Sequence, residues 1–201
     1  IVWVVADASV NGNESGTSFK QALYFKEVGF NLLDTMIWNK NSSGFPPKTS
    51  YPSCFEYMFV FTKGQLKTFN PITDKKNKCA GNKGISHSRN TKTGEIIYGK
   101  EQITREFGRR YNMWTIPVGG GSSSKDKIAF KPPAIFPEKL AEDHIISWSN
   151  EGDLVLDPFC GSGTTCKMAK KLNRNYIGID ISHEYIDIAK QRIEIIENSI
   201  N

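Results

Sequence analysis

The sequence predicts an α/β fold built on a doubly wound parallel sheet and interrupted by a basic insertion, and three observations predict it. The last third alternates short apolar strands with amphipathic helices, the pattern of βα units whose strands run parallel. Between the first of those strands and its helix lies a glycine-rich turn, Asp157-Pro158-Phe159-Cys160-Gly161-Ser162-Gly163-Thr164-Thr165, at the sheet edge where such folds take their ligands. The excess of positive charge is confined to one central stretch. From Lys63 to Lys131 there are 15 Lys or Arg against 5 Asp or Glu, a net of +10, whereas the rest of the chain holds 11 against 16, a net of −5.

A chain of 201 residues that is 38% hydrophobic, 11% aromatic and 23% charged has the balance of one folded domain, which excludes a disordered tail, a fibre and a disulfide mini-protein. No apolar run reaches the roughly 18 residues that span a bilayer, and the opening Ile1-Val2-Trp3-Val4-Val5-Ala6-Asp7 has no basic leader, so no membrane association and a cytoplasmic location are expected. That opening reads as an interior strand, so the chain is expected to start within a domain. Cys54, Cys79, Cys160 and Cys166 match no zinc spacing with His87 or His144, so reduced structural thiols and no metal are expected.

Ile1 to Ala6 is a continuous apolar run, expected to be a strand buried on both faces. After a loop, Thr17 or Ser18 caps a helix carrying Phe19, Ala22, Leu23 and Phe25, and Gly29 stops it. Asn31 to Trp38 is a second strand. Phe45-Pro46-Pro47 and Tyr51-Pro52 break the chain, and Phe55 to Thr62 is a third strand. Pro137 to Trp148 is a helix with Leu140, Ile145 and Ile146 inward. Asp153 to Asp157 and Asn175 to Asp180 are strands, Thr164 to Leu172 a helix, and Glu184 to Glu197 a helix buried through Ile188, Ala189, Arg192, Ile195 and Ile196. Trp3, Trp38, Phe59 and Phe61 lie within strands and read as core; His183 reads as a surface residue at a helix start.

The stretch from Lys63 to Lys131 is poor in aliphatic residues and reads as an irregular insertion, with a mobile loop at Gly119 to Lys125. Its Lys75, Lys76, Lys78, Lys83, Arg89, Lys92, Arg105, Arg109 and Arg110 suit phosphates, and Tyr98, Phe107, Tyr111 and Trp114 could pack beside bases. A solvated basic loop is the plainer alternative.

In the turn, two glycines one residue apart let the backbone turn tightly and approach a ligand. A nicotinamide site has to be weighed, because Asp180 ends the next strand. Yet Cys166 stands where the third glycine of that fingerprint would be, and Asp157 would repel phosphate oxygens. A carboxylate there suits a ligand's ammonium group, which favours a cofactor bearing an amino acid, such as S-adenosylmethionine (AdoMet), with Asp180 accepting from ribose hydroxyls.

Asp157 to Thr165, followed by Tyr176-Ile177-Gly178-Ile179-Asp180-Ile181 and by Tyr185, Ala189 and Arg192, resembles the AdoMet-binding region of the N4-cytosine/N6-adenine DNA methyltransferases. Phe136-Pro137-Glu138-Lys139-Leu140 resembles the motif that packs against the methionine end of the cofactor in the permuted members. The strand at Trp3 to Asp7, Trp38-Asn39-Lys40 and Glu56 to Gly64 resemble later motifs of the catalytic half. The resemblance implies an AdoMet-dependent methyltransferase-like (Rossmann-like) sheet with the circularly permuted β-type motif order. It assigns residues 1–62 to the C-terminal part of the catalytic half, 63–131 to a target-recognition insertion and 132–201 to the AdoMet-binding half. Asp157, Phe159, Gly161, Ser162, Gly163, Thr164 and Asp180 would hold AdoMet, helped by Phe136, Pro137 and Lys139. The partner would be double-stranded DNA with a flipped target base, as in restriction-modification systems. Pro132 stands where relatives often carry His.

The family's catalytic tetrapeptide, Asp/Asn/Ser-Pro-Pro-aromatic, is not in the sequence: Phe45-Pro46-Pro47-Lys48 and Lys131-Pro132-Pro133-Ala134 both lack the polar and the aromatic residue. No catalytic residue is therefore assigned. In the family that tetrapeptide precedes the strand resembling Ile1 to Ala6 and its own strand lies in mid-sheet, so an N-terminal truncation is expected, with an upstream segment or a homodimer completing the sheet. A non-catalytic DNA- or AdoMet-binding fragment is the alternative to an active enzyme. A C5-cytosine mechanism is excluded because no Cys follows a Pro.

Overall fold

The computed structural model describes residues 1–41, 48–119, 121–131 and 135–200, the last five by backbone only. The breaker at 45–47, the pair at 132–133 and the Ile196 side chain lie outside the described residues. The chain forms two compact units, one of residues 1–70 and 112–201, the other Pro71–Tyr111.

In the first unit, β1 (Val2–Val5) is followed by a small hairpin of β2 (Ser9–Val10) and β3 (Asn13–Glu14). Its turn is Asn11-Gly12, both residues at positive φ, the backbone that matches the twist of paired strands. Helix α1 (Thr17–Glu27) then leads to β4 (Asn31–Asn39) and β5 (Phe55–Thr62). The N-cap of α1 is Gly16, not Thr17 or Ser18, and it supplies no side chain. Asp7 caps the helix from the end of β1 instead: its carboxylate accepts from the Ser18 N–H at 3.1 Å and from the hydroxyls of Ser15, Thr17 and Ser18. Those bonds, the Ser18 hydroxyl's first, hold the Asp7 carboxyl down at about 2.

Strand β5 lies between β1 and β4, antiparallel to both, and β10 (Met113–Thr115) adds parallel to β4. Alternate residues of β5 serve two cores. Met58 and Val60 join Met36, Trp38, Trp114 and Leu140 on one face, while Phe59 and Phe61 meet Ala22 of α1, with Trp3 and Phe25, on the other. The residues of β1 are only half-buried, against the expectation of burial on both faces. The reason is topological, since β1 ends the sheet and pairs with β5 alone among the described residues.

A 3-10 turn at Lys127–Phe130 precedes α2 (Glu138–Trp148), which sets Leu140 on the sheet and Ala141 and Ile145 against Met168 and Ala169 of α3 (Thr164–Lys171). Strands β11 (Leu154–Asp157) and β12 (Asn175–Gly178) flank α3 in sequence and pair in parallel, as expected. Val155 and Tyr176 pack toward α2 and α3, while Leu154, Leu156, Ile177 and Ile179 on the opposite face are exposed. Helix α4 (His183–Ile200) buries Ile188, Ala189, Arg192 and Ile193. Ile195, expected inward, is 49% exposed because it falls to the margin of that stripe.

The second unit is a hairpin and a short ribbon, not an irregular span. Strand β7 (Lys83–Arg89) pairs antiparallel with β8 (Ile96–Ile103), and β6 (Lys75–Lys76) with β9 (Phe107–Gly108). The Asn90 carboxamide closes the hairpin turn by accepting from the Lys92 and Thr93 N–H groups. Among the described residues no helix is long and apolar enough to cross a membrane.

Candidate functional site

Main-chain bonds tie the turn between β11 and α3 to itself and to the segment after β12. Cys160 N–H donates to the Ile179 carbonyl at 2.9 Å, Ile179 N–H to the Asp157 carbonyl at 2.9 Å, and Gly163 N–H to the Cys160 carbonyl at 2.7 Å. Gly161 and Gly163 have φ of +50° and +76°, and Gly163 is the N-cap of α3. The two glycines differ in their surroundings. A Cβ on Gly161 would meet nothing within 4 Å, whereas one on Gly163 would lie 2.5 Å from the Ala189 Cβ of α4. The space beside Gly161 is therefore open to a ligand, and Gly163 is the contact that lets α3 close on α4.

Two carboxylates bind the backbone of this turn. Asp157 Oδ1 accepts from the Phe159 N–H at 3.0 Å. Asp180, just beyond β12, accepts from the Gly161 N–H through Oδ2 and from the Ser182 N–H through Oδ1, each at 2.9 Å. Each carboxylate oxygen has a second lone pair, so both acids can still accept from a ligand's ammonium or hydroxyl groups. Phosphate would meet two like charges here. Phe159 is 75% exposed, its edge toward Trp3 at 6.3 Å between centroids.

Ser162 and Thr164 turn away from this opening. The buried guanidinium of Arg192 donates through Nη1 to the Ser162 carbonyl at 2.7 Å, and to Ser162 Oγ and Thr164 Oγ1 at 3.0 Å each. Its other nitrogens reach Asp126 Oδ2 at 3.1 Å and Glu138 Oε1 at 2.8 Å, the same two oxygens that Lys167 holds at 2.6 and 2.7 Å. Burial would raise the carboxyls of Asp126 and Glu138, but the bonds and charge of Lys167 and Arg192 bring both below their ordinary values. Sequence reasoning does not single out Asp126 or Lys167, nor the roles of Glu138 and Arg192. The carboxylate at the start of α2 and the basic residues of α3 and α4 are signals, but nothing local pairs them.

Pro137 is fully buried at the N-cap of α2, and Phe136 packs edge-on to Trp38 at 5.9 Å between centroids while also meeting the α2–α3 core. The Lys139 ammonium lies on Asp143 and Glu142 of its own helix, at 2.5 and 3.2 Å. Cys160 and Cys166 are free buried thiols; burial pushes both up, Cys166 to about 12, so neither is a thiolate nucleophile at neutral pH.

The second unit carries ten Lys or Arg against four Asp or Glu. Every residue of β7 and β8 is exposed, and so are Tyr98, Phe107 and Tyr111. Trp114, expected beside them, belongs instead to the first unit. It is 5% exposed, 4.5 Å from the His144 ring, because β10 adds to the sheet edge and turns it into the core.

The family model described as a DNA methylase matches residues 2–191. An orphan methyltransferase of Bacillus amyloliquefaciens, M.BamHII, is 57% identical over 196 residues, 96% of this chain and 74% of that protein. Several other relatives are matched over only about half of their own length. The PvuII DNA methyltransferase (cytosine-N4-specific) shares the fold with a TM-score of 0.67 at 21% identity, over 98% of this chain and 67% of its own. An M1.HpyAVI–SAM complex matches at 27% identity with a TM-score of 0.57, over 96% of this chain and 74% of its own. The α/β architecture is thus that of DNA methyltransferases, and the chain belongs to the N6/N4 DNA methylase family.

Proposed function

We propose that the chain binds S-adenosylmethionine across the carboxyl ends of β11 and β12 and serves the transfer of its methyl group to the exocyclic amine of adenine (N6) or cytosine (N4) in double-stranded DNA. The observation that carries this reading is the open space at Gly161 in a turn whose backbone is held by the carboxylates of Asp157 and Asp180. The donor set fits the cofactor: Asp157 takes the ammonium, Asp180 the ribose hydroxyls, and exposed Phe159 keeps water from one side. Gly161, with Gly163 behind it, leaves the backbone room to approach, while Ser162 and Thr164 hold the turn's shape from beneath. Phe136 and Pro137 form the wall at the methionine end, and Lys139 keeps the first turn of α2 in place through Asp143. The M1.HpyAVI neighbour was solved with SAM, which supports the choice.

When bound, the cofactor supplies an electrophilic methyl on a sulfonium. An exocyclic amine is a weak nucleophile because its lone pair is delocalised, so the target base has to be flipped from the helix and oriented. No Asp/Asn/Ser-Pro-Pro-aromatic tetrapeptide in residues 1–201 does this. We place that task, and a strand joining β1 to β11, on an upstream segment or a second copy; the edges of β1 and β11, unpaired among the described residues, support this reading. The exposed basic unit Pro71–Tyr111 would hold DNA phosphates, within a recognition region spanning 63–131.

Calorimetry tests the cofactor assignment. Asp180→Ala is expected to lower AdoMet affinity about tenfold or more, since an acceptor for two hydroxyls and a bond to the Gly161 N–H are removed together. Unchanged affinity, or protection of the protein by NAD but not by AdoMet, would remove the reading.

A further inference from the structure

We propose that Arg192 is a positioning residue that sets the geometry of the AdoMet site by clasping the glycine turn to the segment that leads into α2. The proposal rests on the AdoMet reading above and adds to it a residue that touches no ligand.

The contacts of Arg192 divide into two groups. Through Nη1 it holds the main-chain carbonyl and hydroxyl of Ser162 and the hydroxyl of Thr164, which are the turn itself. Through Nε and Nη2 it holds Asp126, beside the 3-10 turn, and Glu138, the first residue of α2. Glu138 directly follows Phe136 and Pro137. One planar, five-donor group therefore joins the two walls between which the cofactor is placed.

Lys167 shows which part of this arrangement concerns the turn. It binds the same carboxylate oxygens, Asp126 Oδ2 and Glu138 Oε1, and balances their charge, but its ammonium has no hydrogen bond to the turn. Arg192 connects both sides. The side chain is 0% exposed, so no water can replace it without repacking α4.

The experiment uses the purified protein and AdoMet as the probe, with Kd measured by calorimetry well below each variant's melting temperature. Arg192→Lys keeps the charge but loses the fork, because a single ammonium cannot reach the turn and both acids at once. It is expected to raise the AdoMet Kd about tenfold, with DNA affinity at matched salt moved less than about twofold. Lys167→Met leaves the acids one cation short and is expected to lower the melting temperature more than Arg192→Lys does while raising the AdoMet Kd less. Should Arg192→Lys not fold, Thr164→Val keeps all four charges and removes one bond between Arg192 and the turn; about a threefold rise in Kd is then expected.

An AdoMet Kd unchanged in the Arg192→Lys and Thr164→Val proteins overturns the proposal. So does a Kd that follows melting temperature equally across the Arg192 and Lys167 variants, since that is what a merely structural role would give. If the wild-type protein itself fails to bind AdoMet, the cofactor reading falls instead, and the two failures are told apart.

Discussion

One added methyl group at Gly161 and one at Gly163 are expected to act on different properties of the protein. Both residues lie at positive φ, which costs an L side chain about 1 kcal/mol. At Gly163 the new Cβ would also lie 2.5 Å from the Ala189 Cβ and 3.0 Å from its Cα, so α3 and α4 have to separate. Overpacking of that kind costs about 2 kcal/mol. Gly163→Ala should then lose about 3 kcal/mol, which for a chain of this size lowers the melting temperature by roughly 6–12 °C. At Gly161 only the backbone strain applies, about 1 kcal/mol or roughly 2–4 °C, because the methyl enters open space. That space is where the cofactor is placed, so Gly161→Ala should weaken AdoMet about tenfold or more by steric exclusion. Thermal melts without ligand, and calorimetry with AdoMet at a temperature where both variants are folded, read the two effects separately. Wild-type AdoMet binding by Gly161→Ala, or a wild-type melting temperature for Gly163→Ala, would overturn these assignments.

Three further outcomes are expected. Burial drives the His144 imidazole down to about 3 from its ordinary 6.5, with Nε2 on Met58 Sδ at 3.1 Å and Nδ1 accepting from the Trp148 indole at 3.3 Å. Its folded pKa is depressed, so the unfolded chain takes the proton first as pH falls below 6.5, and stability should drop by about 1.4 kcal/mol per pH unit from this group. Denaturant titrations of His144→Leu should show a shallower slope than the wild type between pH 6.5 and about 4, whatever the difference in absolute stability; an equal slope would refute it. Asp7, held at about 2 by the Ser18 hydroxyl and N–H, contributes stability that is present above its ordinary 3.8 and lost as pH falls toward 2, and acid melts of Asp7→Asn should lack that last fall. Replacing Lys83, Arg89 and Lys92 of the exposed hairpin by Ala should weaken DNA binding and flatten its salt dependence by about 0.9 for each phosphate no longer neutralised, as fluorescence anisotropy at several salt concentrations would show.

Features carried by neighbours in sequence are legible without the structure. The alternation in Phe55–Thr62, the parallel pair around the turn and the helix that begins at Glu138 are all local patterns, and each forms where the pattern lies. The Asn11-Gly12 hairpin also has a local signal, an Asn-Gly pair that prefers positive φ at both residues, although the strands it joins are only two residues each and carry no apolar alternation. Other features depend on partners far along the chain. Trp114 reads as an aromatic in a basic stretch until β10 pairs with β4, 76 residues away at Asn39 and Thr115. The α1 cap comes from Asp7, 11 residues before Ser18, and supplants the nearer Thr17. The clasp beneath the turn spans 66 residues between Asp126 and Arg192, and no periodicity encodes it.

Stability alone does not account for that clasp. Taking four charged groups largely out of water costs several kcal/mol each before their mutual attraction repays it, and well-packed apolar residues can do as well or better in such places. Apolar residues could not hold the Ser162 carbonyl, which Arg192 does at 2.7 Å. A turn with two glycines at positive φ has little conformational preference of its own and needs fixed points from outside. Beside the main-chain bond from Cys160 to Ile179, it has a side-chain anchor on each side: Asp180 takes the Gly161 N–H from the ligand side, and Arg192 takes the Ser162 carbonyl from the core side. The two residues so held are adjacent, and the backbone between them faces the open space. A ligand that displaced Asp180 from the Gly161 N–H would leave Arg192 as the side chain still holding this backbone, alongside the main-chain bond from Cys160 to Ile179, which is why removing the guanidinium fork should be felt in cofactor affinity.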